Sequence, residues 1–111
     1  MLYTYNKLVR DKIPQSINNK PGRKANFRIL DDEEYLQELD RKLFEEAHEF
    51  VEEHSIEELA DLIEVMSAIM KAKNISLDDV KKAREAKRNK RGGFEDKIFL
   101  IDVEQEEEYE K

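Results

Sequence analysis

Cysteine is absent from this 111-residue chain, and histidine occurs only twice, as His48 and His54. The first absence excludes disulfides, thiolate zinc sites and cysteine nucleophiles. The second leaves too few imidazoles for a histidine-rich metal site. No apolar run reaches the length of a signal peptide or a membrane span, so the chain is expected to be cytoplasmic and to engage no membrane. There is no P-loop and no dinucleotide fingerprint, so a nucleotide would be bound by another scheme. No internal repeat is visible.

Charge, in contrast, is abundant. Charged residues make up 42% of the chain and hydrophobic residues 39%, with a mean hydropathy of −0.87. That balance fits a compact helical protein with charged outer faces better than a disordered chain. The length predicts a single domain over residues 1–111. Such a domain is too small to surround a large substrate, so a site completed by a second subunit is expected. A net charge of −7 argues against non-specific binding to nucleic acid. The charge is uneven, however: Lys81, Lys82, Arg84, Lys87, Arg88, Lys90 and Arg91 form a basic block, and residues 104–111 an acidic tail expected to fray.

Apolar residues at Leu36, Leu39, Leu43, Ala47 and Phe50 recur at three- and four-residue steps and predict an amphipathic helix over about 32–53, capped by Asp31 or Asp32. His54-Ser55 interrupts it. Ser55-Ile56-Glu57-Glu58 matches a capping box that opens a second helix over about 56–72. Apolar side chains wrap most of that helix, which predicts burial on several sides and motivates a homo-oligomer, dimer or tetramer. A third helix is expected from Ser76 to about Arg91, ended by Gly92-Gly93. Pro14 and Pro21-Gly22 bound a predicted loop. Phe27–Leu30 and Lys97–Val103 read as short strands able to pair in a two-stranded ribbon. The fold class is thus all-α, a small helical bundle with that ribbon beside it.

Two acidic pairs, Glu46-x-x-Glu49 and Glu58-x-x-Asp61, flank the helix break. Residues three apart lie on one side of a helix, so an antiparallel hairpin brings four carboxylates together. They repel unless a cation sits among them, and hard cations such as Mg²⁺ take oxygen ligands of this kind. Bland readings stand beside this one. Glu58 serves equally as the N3 partner of Ser55, and Glu49 as a solvated helix residue. Glu46 lies at the edge of the apolar stripe, and Asp61 shares a face with Val65, Ala68 and Ala72. A buried ionised Asp needs a cation or a basic partner, and a lysine or arginine would satisfy Asp61 as well as a metal. Lys87 and Arg91, four apart, either hold phosphate oxygens or merely complement the helix dipole. Lys7 and Arg10 share a face if residues 6–13 are helical, and Arg10 has the alternative of pairing with Asp11 or another acidic neighbour. Both histidines read as surface or turn residues.

Lys42-Leu43-Phe44-Glu45-Glu46-Ala47-His48-Glu49, followed by Glu57-Glu58-Leu59-Ala60-Asp61-Leu62, resembles the MazG-like all-α nucleotide pyrophosphohydrolases, whose signature is EExxE followed by ExxD. The segments Tyr5–Pro14 and Lys90-Arg91-Gly92-Gly93-Phe94 look like the phosphoribosyl-ATP pyrophosphohydrolase-like branch. The resemblance runs from about residue 5 to residue 100. It implies Mg²⁺-dependent hydrolysis (Mn²⁺ as an alternative cofactor) between the α- and β-phosphates of a nucleoside triphosphate or phosphoribosyl-ATP-like substrate, releasing pyrophosphate and a monophosphate. It also implies Glu46, Glu49, Glu58 and Asp61 as metal ligands. One of them, or Glu45, orients the attacking water, and Lys7, Arg10, Lys87 and Arg91 are candidates for the remaining phosphate charge. Eight residues separate Glu49 from Glu58, a short gap for that family, so the hairpin must turn tightly. A house-cleaning role on non-standard nucleotides fits as well as a biosynthetic one. Two alternatives are a non-catalytic helical module that dimerises or binds a protein, and an acidic regulator of a nucleic-acid-binding protein.

Overall fold

The computed structural model describes residues 1–107. It contains four helices: α1 (Ile13–Asn18), α2 (Asp32–Glu53), α3 (Ile56–Ala72) and α4 (Leu77–Arg91). Among the described residues there is no strand, so the protein is all-α. The chain divides into two compact units, Met1–Leu77 and a second from Asp78 onward.

The core of the first unit is the α2–α3 hairpin. Asp31 caps α2 through its side chain, which accepts from the Glu34 N–H at 2.9 Å, and Asp32, Glu33 and Glu34 place acid in the positive first turn. Arg28 reaches Glu34 with two hydrogen bonds, at 3.0 and 2.6 Å, and fastens the preceding extended segment to that turn. At the far end His54 ends α2 in the left-handed conformation, φ 52° and ψ 31°, with its N–H donating to the Phe50 carbonyl. A side chain rarely accepts such a φ, although His is among the residues enriched there. The ring of His54 lies against that of Phe50, with centroids 5.1 Å apart. Ser55 then caps α3, its hydroxyl accepting from the Glu58 N–H at 3.2 Å. Two residues therefore reverse the chain.

Along the hairpin Leu39 and Val65 are buried, and Glu46 is the buried charged residue beside them. α3 is not buried on several sides, as its composition predicts. Ile56, Leu59, Ile63 and Met66 stay exposed, because α2 covers only one side of a helix that is apolar on two.

Pro14 does not break the chain into a loop. It occupies the first turn of α1, where a missing N–H is harmless. Residues 6–12, in turn, are not helical, and Asn6 takes a positive φ of 48°. The predicted ribbon is absent as well: Phe27–Leu30 and Lys97–Val103 are irregular. A hairpin of only two short strands is marginal in water.

In the second unit α4 follows directly on Ser76 and ends at Gly92, whose φ of 87° suits a residue without Cβ. The Gly92 N–H closes the last turn on the Arg88 carbonyl at 2.7 Å. Arg88 also pairs with Glu95 at 3.3 Å. A Cβ on Gly93 would run into that pair. Residues 98–107 have no regular structure; the rest of the acidic tail, 108–111, lies outside the described residues. No described helix is long and apolar enough to cross a membrane.

Candidate metal centre

The tight turn sets the rotation of α3 against α2, and that rotation decides which side chains meet. It brings carboxylate oxygens of Glu46, Glu58 and Asp61 within 4.8 Å of one another. Glu46 comes from the middle of α2 and is only 7% exposed. Glu58 and Asp61 come from the first turns of α3 and are half-buried. Glu46 Oε2 and Glu58 Oε2 are both shielded from solvent and have no hydrogen-bond partner. A buried acceptor left without a donor is costly. Here two of them lie in one acidic cluster.

The capping role of Ser55 accounts for the Glu58 backbone but leaves this Oε2 unexplained. Glu49 is exposed. It stands outside the tight triplet, close enough for its charge to raise the Glu58 carboxyl. Burial first, then the charge of Glu49, then Asp61 and Glu46, hold the Glu58 carboxyl above the ordinary glutamate range. Three converging carboxylate donors suit a hard divalent cation such as Mg²⁺ or Mn²⁺.

Basic side chains offset part of the charge. Arg10 donates to Asp61 Oδ1 at 2.7 Å, so the arginine partner envisaged for Asp61 is present in addition to the cluster. Lys7 approaches Glu45 at 3.8 Å. Both arrive from the irregular N-terminal segment, not from a shared helical face. Lys42 was not singled out by sequence reasoning, yet its ammonium lies 3.2 Å from Glu45 and 3.5 Å from Glu46. The signal was available, since Lys42 stands one turn before both glutamates on α2. Glu45 therefore faces two ammonium groups, while Glu46 turns one oxygen to Lys42 and keeps the other buried without a partner.

Lys87 and Arg91 belong to the second unit and are exposed on α4. Arg91 lines an open pocket of about 300 Å³ with Gly92, Gly93, Phe94 and Lys97. His48 is a surface residue paired with Glu52 at 3.4 Å, and His54 is the turn.

Fold and site together define an all-α protein with a three-carboxylate cluster at the base of a helical hairpin. Comparison with known proteins adds no relative: no family model, curated protein or solved structure matches the chain.

Proposed function

We propose that the protein is a Mg²⁺-dependent nucleotide pyrophosphohydrolase, cleaving the α–β phosphoanhydride of a nucleoside triphosphate or a phosphoribosyl-ATP-like substrate. The observation that carries this reading is the pair of buried, partnerless oxygens, Glu46 Oε2 and Glu58 Oε2, within one carboxylate cluster. Glu45, Glu46, Glu49, Glu58 and Asp61 are the residues that match the MazG-like signature. Glu46, Glu58 and Asp61 would hold the cation, with Glu49 at their edge. When bound, the cation would supply Lewis-acid neutralisation of phosphate charge. Glu45 and Glu49, outside the tight triplet, would orient water and accept its proton. Arg10, 56% exposed and already paired with Asp61, would meet a phosphate oxygen, and Lys7, beside Glu45, would add a second positive charge. A cytoplasmic, house-cleaning setting is consistent with this chemistry.

Pyrophosphate release across a panel of nucleoside triphosphates and phosphoribosyl-ATP, with Mg²⁺ or with EDTA, tests the reading. Metal-dependent turnover is expected on at least one of them, abolished by Glu46→Gln and by Asp61→Asn with helicity retained. No metal-dependent turnover on any substrate would sink it. The Arg10–Asp61 and Lys42–Glu46 pairs favour a second reading, in which the carboxylates are a structural charge network in a non-catalytic helical module.

A further inference from the structure

Glu45 and Glu46 are neighbours on α2, and successive residues of a helix diverge by about 100°. Adjacent side chains do not face each other, so two neighbouring carboxyls are not brought together by the helix itself. Lys42 stands one turn earlier, three residues from the first and four from the second. Its ammonium lies 3.2 Å from Glu45 Oε1 and 3.5 Å from Glu46 Oε1. A surface lysine paired at this spacing stays solvated and contributes little. Lys42 differs: its side chain is 18% exposed, against 46% for Lys7 and 56% for Arg10. Lysine is rarely withdrawn from water unless its ammonium is paired, and here two carboxyls share the pairing. An ammonium donates and cannot accept, so Lys42 turns one oxygen of each glutamate toward itself. The other oxygen of Glu46, Oε2, is buried and has no partner. Glu46 is also the most deeply buried member of the carboxylate cluster with Glu58 and Asp61.

We propose that Lys42 is a positioning residue for a divalent-cation site. By holding Glu46 Oε1 it leaves Oε2 as the single ligand oxygen of that glutamate, and it ties Glu45 to the same ammonium. The proposal rests on reading the cluster as a cation site. Charge alone gives the opposite expectation. A positive group beside a ligand repels a cation, so a lysine that served only as a countercharge would weaken binding, and its removal would tighten it. The sign of the change in affinity therefore separates orientation from charge.

Mn²⁺ titration of the full chain, read by loss of the free-ion electron paramagnetic resonance signal, measures affinity without reference to turnover. Lys42→Met keeps the stem and removes the ammonium. It should raise the Mn²⁺ Kd by about 10- to 100-fold, the usual cost of losing a group that orients a metal ligand. Lys42→Arg, which still reaches both oxygens, should recover most of that loss. Far-UV circular dichroism checks folding, and if the methionine variant does not fold, Lys42→Gln carries the same expectation. Unchanged or tighter Mn²⁺ binding in Lys42→Met, or an equal loss in Lys42→Arg, overturns the proposal and leaves the hydrolase reading standing. Binding that weakens in Lys42→Met, in a protein that turns over no nucleotide, supports the proposal and sinks the hydrolase reading. A wild type that binds no Mn²⁺ overturns both.

Discussion

Replacing Glu46 by glutamine changes the side chain by one atom and removes one charge, and its effect on stability separates the two readings of the acidic cluster. Glu46 makes one i,i+4 contact with Lys42, at 3.5 Å. Pairs of this kind contribute about 0.3–0.5 kcal/mol. Against that stands repulsion from Asp61, whose carboxylate oxygen lies within 4.8 Å. At an effective dielectric near 20 that separation corresponds to roughly 3 kcal/mol. Asp61 is 40% exposed and carries Arg10, so screening reduces the figure to about 1 kcal/mol. Relief of repulsion therefore outweighs the lost pair, and Glu46→Gln should be slightly more stable than wild type in EDTA. In Mg²⁺ the order should reverse. A ligand at a hundred times its Kd stabilises the native state by about 2.7 kcal/mol, which for a domain of this size raises Tm by roughly 10 °C. That rise should be present in the wild type and lost in the variant. Thermal melts of both proteins in EDTA and in Mg²⁺ make the measurement. If Glu46→Gln is less stable in EDTA and responds to Mg²⁺ as the wild type does, the cluster is a salt-bridge network and the reasoning fails.

Further expectations concern the hairpin and its charges. Leu39→Ala should destabilise by about 2–5 kcal/mol in urea titrations, because Leu39 and Val65 are the buried apolar residues of the hairpin. His54→Val, a β-branched residue forced to φ 52°, should destabilise by about 1–2 kcal/mol on the same assay. The Glu58 carboxyl, held above its ordinary value by burial and by its acidic neighbours, binds its proton more tightly folded than unfolded. Metal-free stability should therefore fall as pH rises from the ordinary glutamate value through the raised one. Glu58→Gln should remove that slope, and an unchanged profile would refute the assignment. Arg10→Ala frees Asp61, so Mg²⁺ binding measured by calorimetry should tighten while KM for the nucleotide rises.

The hairpin was legible because its signals are local. Apolar spacing marks α2, and Asp31, His54 and Ser55 mark its boundaries with α3 to within a residue. Pro14 was misleading because one residue type both ends helices and begins them; only its position in the first turn of α1 tells which. The ribbon was inferred from strand-like composition, which gives no information on whether a partner strand is within reach. At the site, sequence spacing placed Glu46, Glu58 and Asp61 on facing sides of two helices. It did not reveal that an irregular N-terminal segment would carry Arg10 to Asp61, a contact across 51 positions. Lys42 escaped notice because a lysine beside glutamates on a helix is commonplace until one of those glutamates proves to be buried.

The two-residue turn between α2 and α3 works as an angular coupling. With only His54 and Ser55 outside the helices, no slack absorbs a change in chain length. One residue inserted after Ser55 would turn every side chain of α3 by about 100° relative to α2. Helical content, composition and net charge could all survive such an insertion, while Glu58 and Asp61 swing away from Glu46. In this hairpin, chain length across the turn is as much a part of the acidic cluster as the carboxylates themselves.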